Sequence, residues 1–506
     1  MDVHQQPMGT EGYEKLGKAS LSLVDAVAQS VGFMGPVFVS ALILPLVVAA
    51  GPAGKGAGVA TPFAMILTAI GILAIGWIIA LYARRIHAAG ALYDYVTHGF
   101  GERVGFWAGW VYYWGTMALT AAIPLIFGGI LYGLLHDDIG WSGTPPYWVL
   151  GLLDCGIIFV LLYFGVRIST RAQLTLALIS ATVVLLFMLY VIIKGGAGGD
   201  SNSIKPFLPS SSDAGWSGIF YGILYGILTF VGFETAANLG EETAEPKRSI
   251  PRAVLLSILI VGIFYLITAY AQDIGFGLNA QKWGESIATG PLFVLGSPGA
   301  FGSVFFDRIL QIVVILDITA VGVGAAVSTS RGFFAMARDR KLPGVLAKVS
   351  DRYGTPAAAI VFTVGICAIV TLWTRLGHGV LTRAIPGVPI NVAQFPEYFP
   401  MFAWLAGYGA FALAAIYGAV ALAGIRSLWD LENRTILVVA GVVGVVVALG
   451  ALWGSIYKVT HPSNKIPWAV LITLIIGILL SLAVRGRVMA SRALAELSEA
   501  PPAART

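Results

Sequence analysis

Charge is what this chain has least of. Only 11% of its 506 residues are Asp, Glu, Lys or Arg, while 57% are apolar, and the mean hydropathy is +0.83. No water-soluble fold can hide that much apolar surface, so a membrane protein is the class that remains. Cysteine is nearly absent: Cys155 and Cys367 both lie in apolar stretches, where they read as packing residues and not as a disulfide or metal pair. The six histidines show no metal-ligand spacing, no Walker loop is present, and no nucleophile stands with a base, so no metal, cofactor, nucleotide-driven pump or enzyme is expected. Residues 1–21 contain no apolar run ending in a small-residue cleavage site; the first hydrophobic helix is expected to serve as its own insertion signal.

Long apolar runs are what the chain has in abundance. Twelve can cross a bilayer, which takes about 20 residues: 22–50, 60–83, 104–135, 147–166, 172–193, 216–239, 253–277, 303–336, 356–374, 399–425, 435–457 and 467–484. An even count puts both termini on one side. Twenty-two of the 31 Lys and Arg residues fall on that side, Arg84, Arg85, Lys247, Arg248, Arg331 and Arg338 among them, so both termini are expected in the cytoplasm and the protein in the plasma membrane. The net charge of +5 therefore reflects sorting across the lipid bilayer and does not point to nucleic acid.

Two of the twelve runs carry helix breakers near mid-membrane. The first contains Ser30-Val31-Gly32-Phe33-Met34-Gly35-Pro36, and in the sixth Gly226 and Gly232 precede Phe233-Glu234. Proline removes a donor and crowds the preceding turn, glycine weakens the helix, and unwound backbone survives at this depth only where protein or a water-filled cavity satisfies it. The first and sixth helices would each open a block of five, and breaks in corresponding positions of two halves mark an inverted-repeat secondary transporter with its site between them. Glycine and proline are also common in membrane helices generally. Glu234 sharpens the contrast, since a carboxylate at this depth costs roughly 2.5–3.5 kcal/mol on insertion scales and needs a partner, a proton or a function.

Phe230-Val231-Gly232-Phe233-Glu234, then Glu241-Glu242 and Glu245-Pro246-Lys247-Arg248-Ser249-Ile250-Pro251-Arg252-Ala253, resembles the sixth-helix signature of the amino acid/polyamine/organocation (APC) superfamily. Ala89-Gly90-Ala91-Leu92-Tyr93-Asp94-Tyr95 with Phe106-Trp107-Ala108-Gly109-Trp110, and Ser330-Arg331 with Ala335-Met336-Ala337-Arg338-Asp339-Arg340-Lys341-Leu342-Pro343, agree with it. The resemblance implies an all-α fold of about twelve transmembrane helices: a five-plus-five inverted repeat with helices 1 and 6 broken, plus two C-terminal helices. The corresponding division is an N-terminal segment (1–21), a transport core (22–430, with repeats at about 22–193 and 216–425), helices 11 and 12 (431–485) and a C-terminal tail (486–506). It also implies import of an amino acid by alternating access, coupled to H+ or to Na+. A transporter or exchanger of amines or polyamines is the alternative within the fold, and a channel or a non-transporting nutrient sensor the alternative outside it.

The same resemblance points to Ser30, Gly32, Met34, Gly35 and Pro36 in the first break and to Phe230, Gly232 and Phe233 in the sixth as substrate-binding residues. Relatives usually carry Gly-Ser-Gly in the first break, whose amides take a substrate carboxylate; Gly35-Pro36-Val37 stands here, and proline cannot donate. Gly232 would let backbone approach an ammonium group, while Phe230 and Phe233 could cover it by cation-π contact, gate the pocket, or only pack. Glu234 could hold the unwound amides or exchange a coupling proton, and the second is the expectation. Many proton-coupled relatives carry a fifth-helix lysine where this chain has Ser180. Ser328 and Thr329 stand where sodium-dependent members of the fold supply hydroxyl ligands, although such side chains also bond helix carbonyls. Asp317 could bind an amine, relay protons or pair with a hydroxyl, whereas Asp25, Asp154, Asp273 and Asp307 read as pairing or boundary groups. Glu241, Glu242, Lys247, Arg248 and Arg252 form either an inner gate or a solvated loop. The proline-rich segment 375–400 is expected to be an outer lid.

Overall fold

The computed structural model describes residue 16 and residues 20–49, 56–199, 202–376, 398–457 and 463–483. Among the described residues the regular structure is helical, apart from a single bridge between Leu21 and Thr243. Helix 1 runs Leu23–Met34, breaks at Gly35, resumes as Pro36–Phe38, passes through a π turn at Val39–Ile43 and closes as Leu44–Ala49. Helices 2 to 5 are Thr61–Ala83, Glu102–Tyr132, Tyr147–Tyr163 and Val166–Ile193. Helix 6 is split into Gly215–Thr229 and a 3-10 stretch, Thr235–Leu239. Helices 7 to 12 are Pro246–Gly275, Val304–Arg338, Ala357–Leu376, Tyr398–Ser427, Arg434–Gly454 and Ile466–Ala483.

Nine of these are long and apolar enough to cross a membrane among the described residues, helices 4 and 12 are shorter apolar helices, and helix 6 falls short because it is broken. They account for the twelve expected crossings. Helix 8 and both pieces of helix 1 are buried along most of their length, packed among helices 3, 5 and 7. Leu178, Leu186, Val442, Val446, Ile472 and Leu479, on helices 5, 11 and 12, are exposed and form an apolar outer surface suited to lipid.

The local chemistry explains where helix 1 starts and stops. Ser22 and Asp25 form a capping box, the Asp25 amide donating to the Ser22 hydroxyl and the Ser22 amide to the Asp25 carboxylate, so Asp25 is the boundary group expected. Gly35 adopts φ 57°, ψ 68°, a left-handed turn that ends the first segment, and Pro36 then occupies the first position of the second, where a missing N–H costs nothing. The break is narrower than the sequence suggests. Ser30 and Gly32 remain inside the helix, and Gly32 is there to admit the Gln173 side chain, whose Oε1 would lie 2.5 Å from an added Cβ. Gly226 also remains helical, packed against the Thr68 side chain of helix 2.

Three short helices, Leu92–Phe100, Ala280–Glu285 and Pro291–Gly296, lie in connectors where none was expected, and most of the proposed outer lid falls outside the described residues. Gly35 is also pressed against Val321 of helix 8, so Gly35→Ala combines a left-handed backbone with a collision. It should cost at least about 2 kcal/mol. Thermal unfolding in detergent would show this as a lowered midpoint, with Gly450→Ala, in open space on helix 11, as the near-neutral control.

Candidate functional site

The two breaks meet at the centre of the molecule. At the first, Pro36 leaves Val37 and Phe38 as the donors that open the second segment, and both amides donate to Asp317 Oδ2 of helix 8, at 3.0 and 2.7 Å. The Tyr265 hydroxyl of helix 7 lies 2.9 Å from Met34 O and 2.8 Å from Thr229 O, so one proton is shared between the carbonyl ends of both interrupted helices. Farther along, Ser40 Oγ donates to Pro36 O, and Gln272 of helix 7 donates to Ser40 O in the π turn.

At the second break Gly232 adopts φ 115°, and an added Cβ would stand 2.9 Å from the Phe33 ring and 3.1 Å from Met34 N. Glu234 is fully buried and closes the turn: its Oε2 accepts from the Gly232 amide at 3.2 Å and its Oε1 from the Tyr112 hydroxyl of helix 3 at 3.0 Å. Tyr417 of helix 10 stands beside the same carboxylate. Ser30 joins the two breaks, donating to Phe233 O at 2.8 Å while accepting from Ala236 N at 3.0 Å.

The structure therefore gathers Ser30, Met34, Gly35, Pro36, Gly232, Phe233 and Glu234 around one junction. Gly32 faces helix 5 instead. Both phenylalanine rings are fully buried in walls: Phe230 meets Tyr265 edge-on with centroids 5.4 Å apart, and Phe233 lies against Tyr417 at the same separation. The three hydroxyls considered for a cation each bond elsewhere: Ser180 to Leu176 O, Ser328 to Asn238 Oδ1, and Thr329 with Thr120. An amide relay occupies the nearby space, Gln173 donating to Gln29 Oε1 and Gln29 donating to Gly324 O of helix 8.

Sequence reasoning passed over Tyr112, Tyr265, Tyr417, Gln29 and Asn238. Their signal was available, since each is a polar side chain inside an apolar run and must find a partner at that depth. Of the carboxylates expected as pairing or boundary groups, Asp154 and Asp273 are buried, Asp154 beside the Thr319 hydroxyl and Asp273 with no hydrogen-bond partner on either oxygen among the described residues, while Asp307 pairs with Gln311.

Glu241 and Glu242, after helix 6, are held by arginines of helix 8 and do not form a solvated loop, whereas Glu245 is exposed. Glu242 and Arg331 of helix 8 form a bidentate pair at 2.6 and 3.0 Å, each 2% exposed, and Glu241 pairs with Arg338 while accepting from Ala89 N. Backbone bonds add to the seal: Ser20 N and Leu21 N donate to Glu242 O, and Ala244 N donates to Leu21 O. Just beyond helix 8, burial pushes the Asp339 carboxyl up to about 6, with Arg338 pulling it down, and Tyr93 donates to it at 3.0 Å. This basic end is closed. Toward the opposite end an apolar cavity of about 120 Å³ lies between helices 1, 6 and 10, lined by Leu42, Leu46, Leu224, Leu228 and Phe402.

Broken helices stapled at mid-membrane, inside a twelve-crossing helical protein, define a permease-type transport protein. The amino acid permease family model matches residues 30–484, and the chain belongs to that family. It is 27% identical over 327 residues to the branched-chain amino acid permease BcaP of Bacillus subtilis, covering 61% of this chain and 67% of the relative. It is 25% identical over 365 residues to the low-affinity putrescine importer PlaP of Escherichia coli, covering 70% and 75%. The glutamate/serine transporter AimA of Bacillus subtilis is 23% identical over 356 residues, covering 66% and 63%. The chain is a transporter and not an enzyme.

Two substitutions test the geometry. Gly232→Ala should abolish uptake, because its Cβ has no room against Phe33. Glu242→Gln should lower the unfolding midpoint in detergent, with a loss of up to about 3–5 kcal/mol where Arg331 stays buried without its partner; an unchanged midpoint would show that the pair does not stabilise this end.

Proposed function

We propose that this permease imports a small ammonium-bearing solute, an amino acid or an amine, across the plasma membrane by alternating access driven by a coupled proton. What carries this reading is the Ser30 junction: it binds the two broken helices to each other at mid-membrane, beside the carbonyl ends Met34 O and Thr229 O. The C-terminal ends of interrupted helices carry partial negative charge, which suits an ammonium group. The three relatives described above are named for branched-chain amino acids, for putrescine, and for glutamate and serine, all solutes with such a group.

The excess of Lys and Arg supports a cytoplasmic position for the closed end. In that orientation the solute enters from outside, and release inward requires the Glu242–Arg331 and Glu241–Arg338 pairs to part. Ser30 makes helices 1 and 6 move together. Glu234 is the proposed proton carrier: protonation removes the charge that holds the Gly232 amide and Tyr112, so the sixth-helix turn loosens in step with the cycle. The core at 22–430 would carry this cycle, with helices 11 and 12 outside it.

Proteoliposomes loaded at neutral pH and diluted into acidic buffer, with a sodium gradient as the separate arm, test the reading. Saturable accumulation of labelled amino acid or amine under the acid gradient is expected, and flux without saturation would instead indicate a channel. Glu234→Gln should retain counterflow and lose accumulation; full concentrative, proton-dependent uptake by this variant would rule out its coupling role.

A further inference from the structure

The carboxylate of Asp317 holds the first-helix break from helix 8. It is fully buried, and its Oδ2 takes both amides at the first-helix break, from Val37 and Phe38. Its Oδ1 has no hydrogen-bond partner among the described residues. One oxygen is satisfied twice and the other is bare, in a dry interior where an uncompensated carboxylate oxygen is costly. Tyr265 stands beside it, and that hydroxyl's single proton is already divided between Met34 O and Thr229 O. The bare oxygen and these two carbonyls offer acceptors and no free donor. A primary ammonium, with three donors and no acceptor, is the complementary group.

A solute carboxylate meets the opposite conditions. Pro36 has no N–H, and the next two amides are already held by Asp317, so an incoming carboxylate would find the donors of this break taken and a like charge behind them. We propose that Asp317 stands in for a carboxylate that the cargo lacks: the substrate is a carboxylate-free primary amine whose ammonium binds Asp317 Oδ1. This rests on the transport reading above and narrows it.

Matched pairs that differ only in the carboxylate test this: leucine against isoamylamine, and ornithine against 1,4-diaminobutane, each measured for binding to the purified full-length protein and for uptake into proteoliposomes. In the wild type each amine should bind at least about 10-fold more tightly than its amino acid. Asp317→Asn should weaken amine binding by about 30-fold or more, the loss expected when one partner of a buried charge pair is removed. Asp317→Ala, which bares the Val37 and Phe38 amides, should reverse the preference within each pair. Uptake of the amino acids in preference to the amines by the wild type would overturn the role of Asp317 and leave the transport reading standing, and it needs no variant to fold. Amine binding unaltered in Asp317→Asn would overturn it equally. Absence of accumulation and of counterflow for all four solutes would overturn the transport reading, and this inference with it.

Discussion

Backbone left bare in the middle of a membrane must be satisfied by protein, and the centre of this structure is organised by that constraint. Each interruption frees amides on one side and carbonyls on the other. The side chains that answer them come from different helices: Ser30 from helix 1, Glu234 from the sixth-helix turn with Tyr112 of helix 3 donating to its carboxylate, Tyr265 and Gln272 from helix 7, and Asp317 from helix 8. These polar groups are held at a depth where each would otherwise be a liability, so their positions are tightly tied to the breaks.

The division of partners also decides what can move. Ser30 bonds helix 1 to helix 6 and would travel with both. Tyr112 and Asp317 belong to helices 3 and 8, so any displacement of the broken pair as one body must lengthen the Tyr112–Glu234 contact and the bonds from Val37 and Phe38 to Asp317. Those contacts lie between the moving and stationary parts, and all involve a carboxylate. A ligand or proton that changes the charge on either acid therefore acts directly on some of the contacts that resist such motion, alongside those of Tyr265, Gln272 and Gln29, a differential interaction of the kind a population shift requires.

Much of this was legible in the sequence. Apolar runs gave the crossings, since a bilayer demands length and little else, and Gly35-Pro36 and Gly232 marked both breaks because few other residues tolerate those backbone conformations. The partners were less visible. Periodicity carries no information about which helix faces which, so nothing in the sequence linked Asp317 to Val37 or Arg331 to Glu242, separated by 280 and 89 residues. Glu241 and Glu242 could be read beside Lys247 and Arg248 as either a gate or a solvated loop for the same reason: their partners lie on helix 8. Gly32 and Gly226 misled in the other direction, because glycine serves close packing as readily as it serves a break.

The ion pairs at the closed end follow a different logic from the apolar walls. An apolar seal of equal size would be opposed on opening by the full cost of wetting it, at about 25 cal/mol per Å². A buried Arg-carboxylate pair has already lost its hydration, and what it gains by pairing only roughly repays that loss. When such a pair separates into water, each ion recovers its solvation, so the closed and open arrangements of Glu242 and Arg331 can lie close in free energy even though removing one partner is severe. A bidentate, buried ion pair such as Glu242–Arg331, 2% exposed on both sides, can thus be firm in geometry and still reversible in energy.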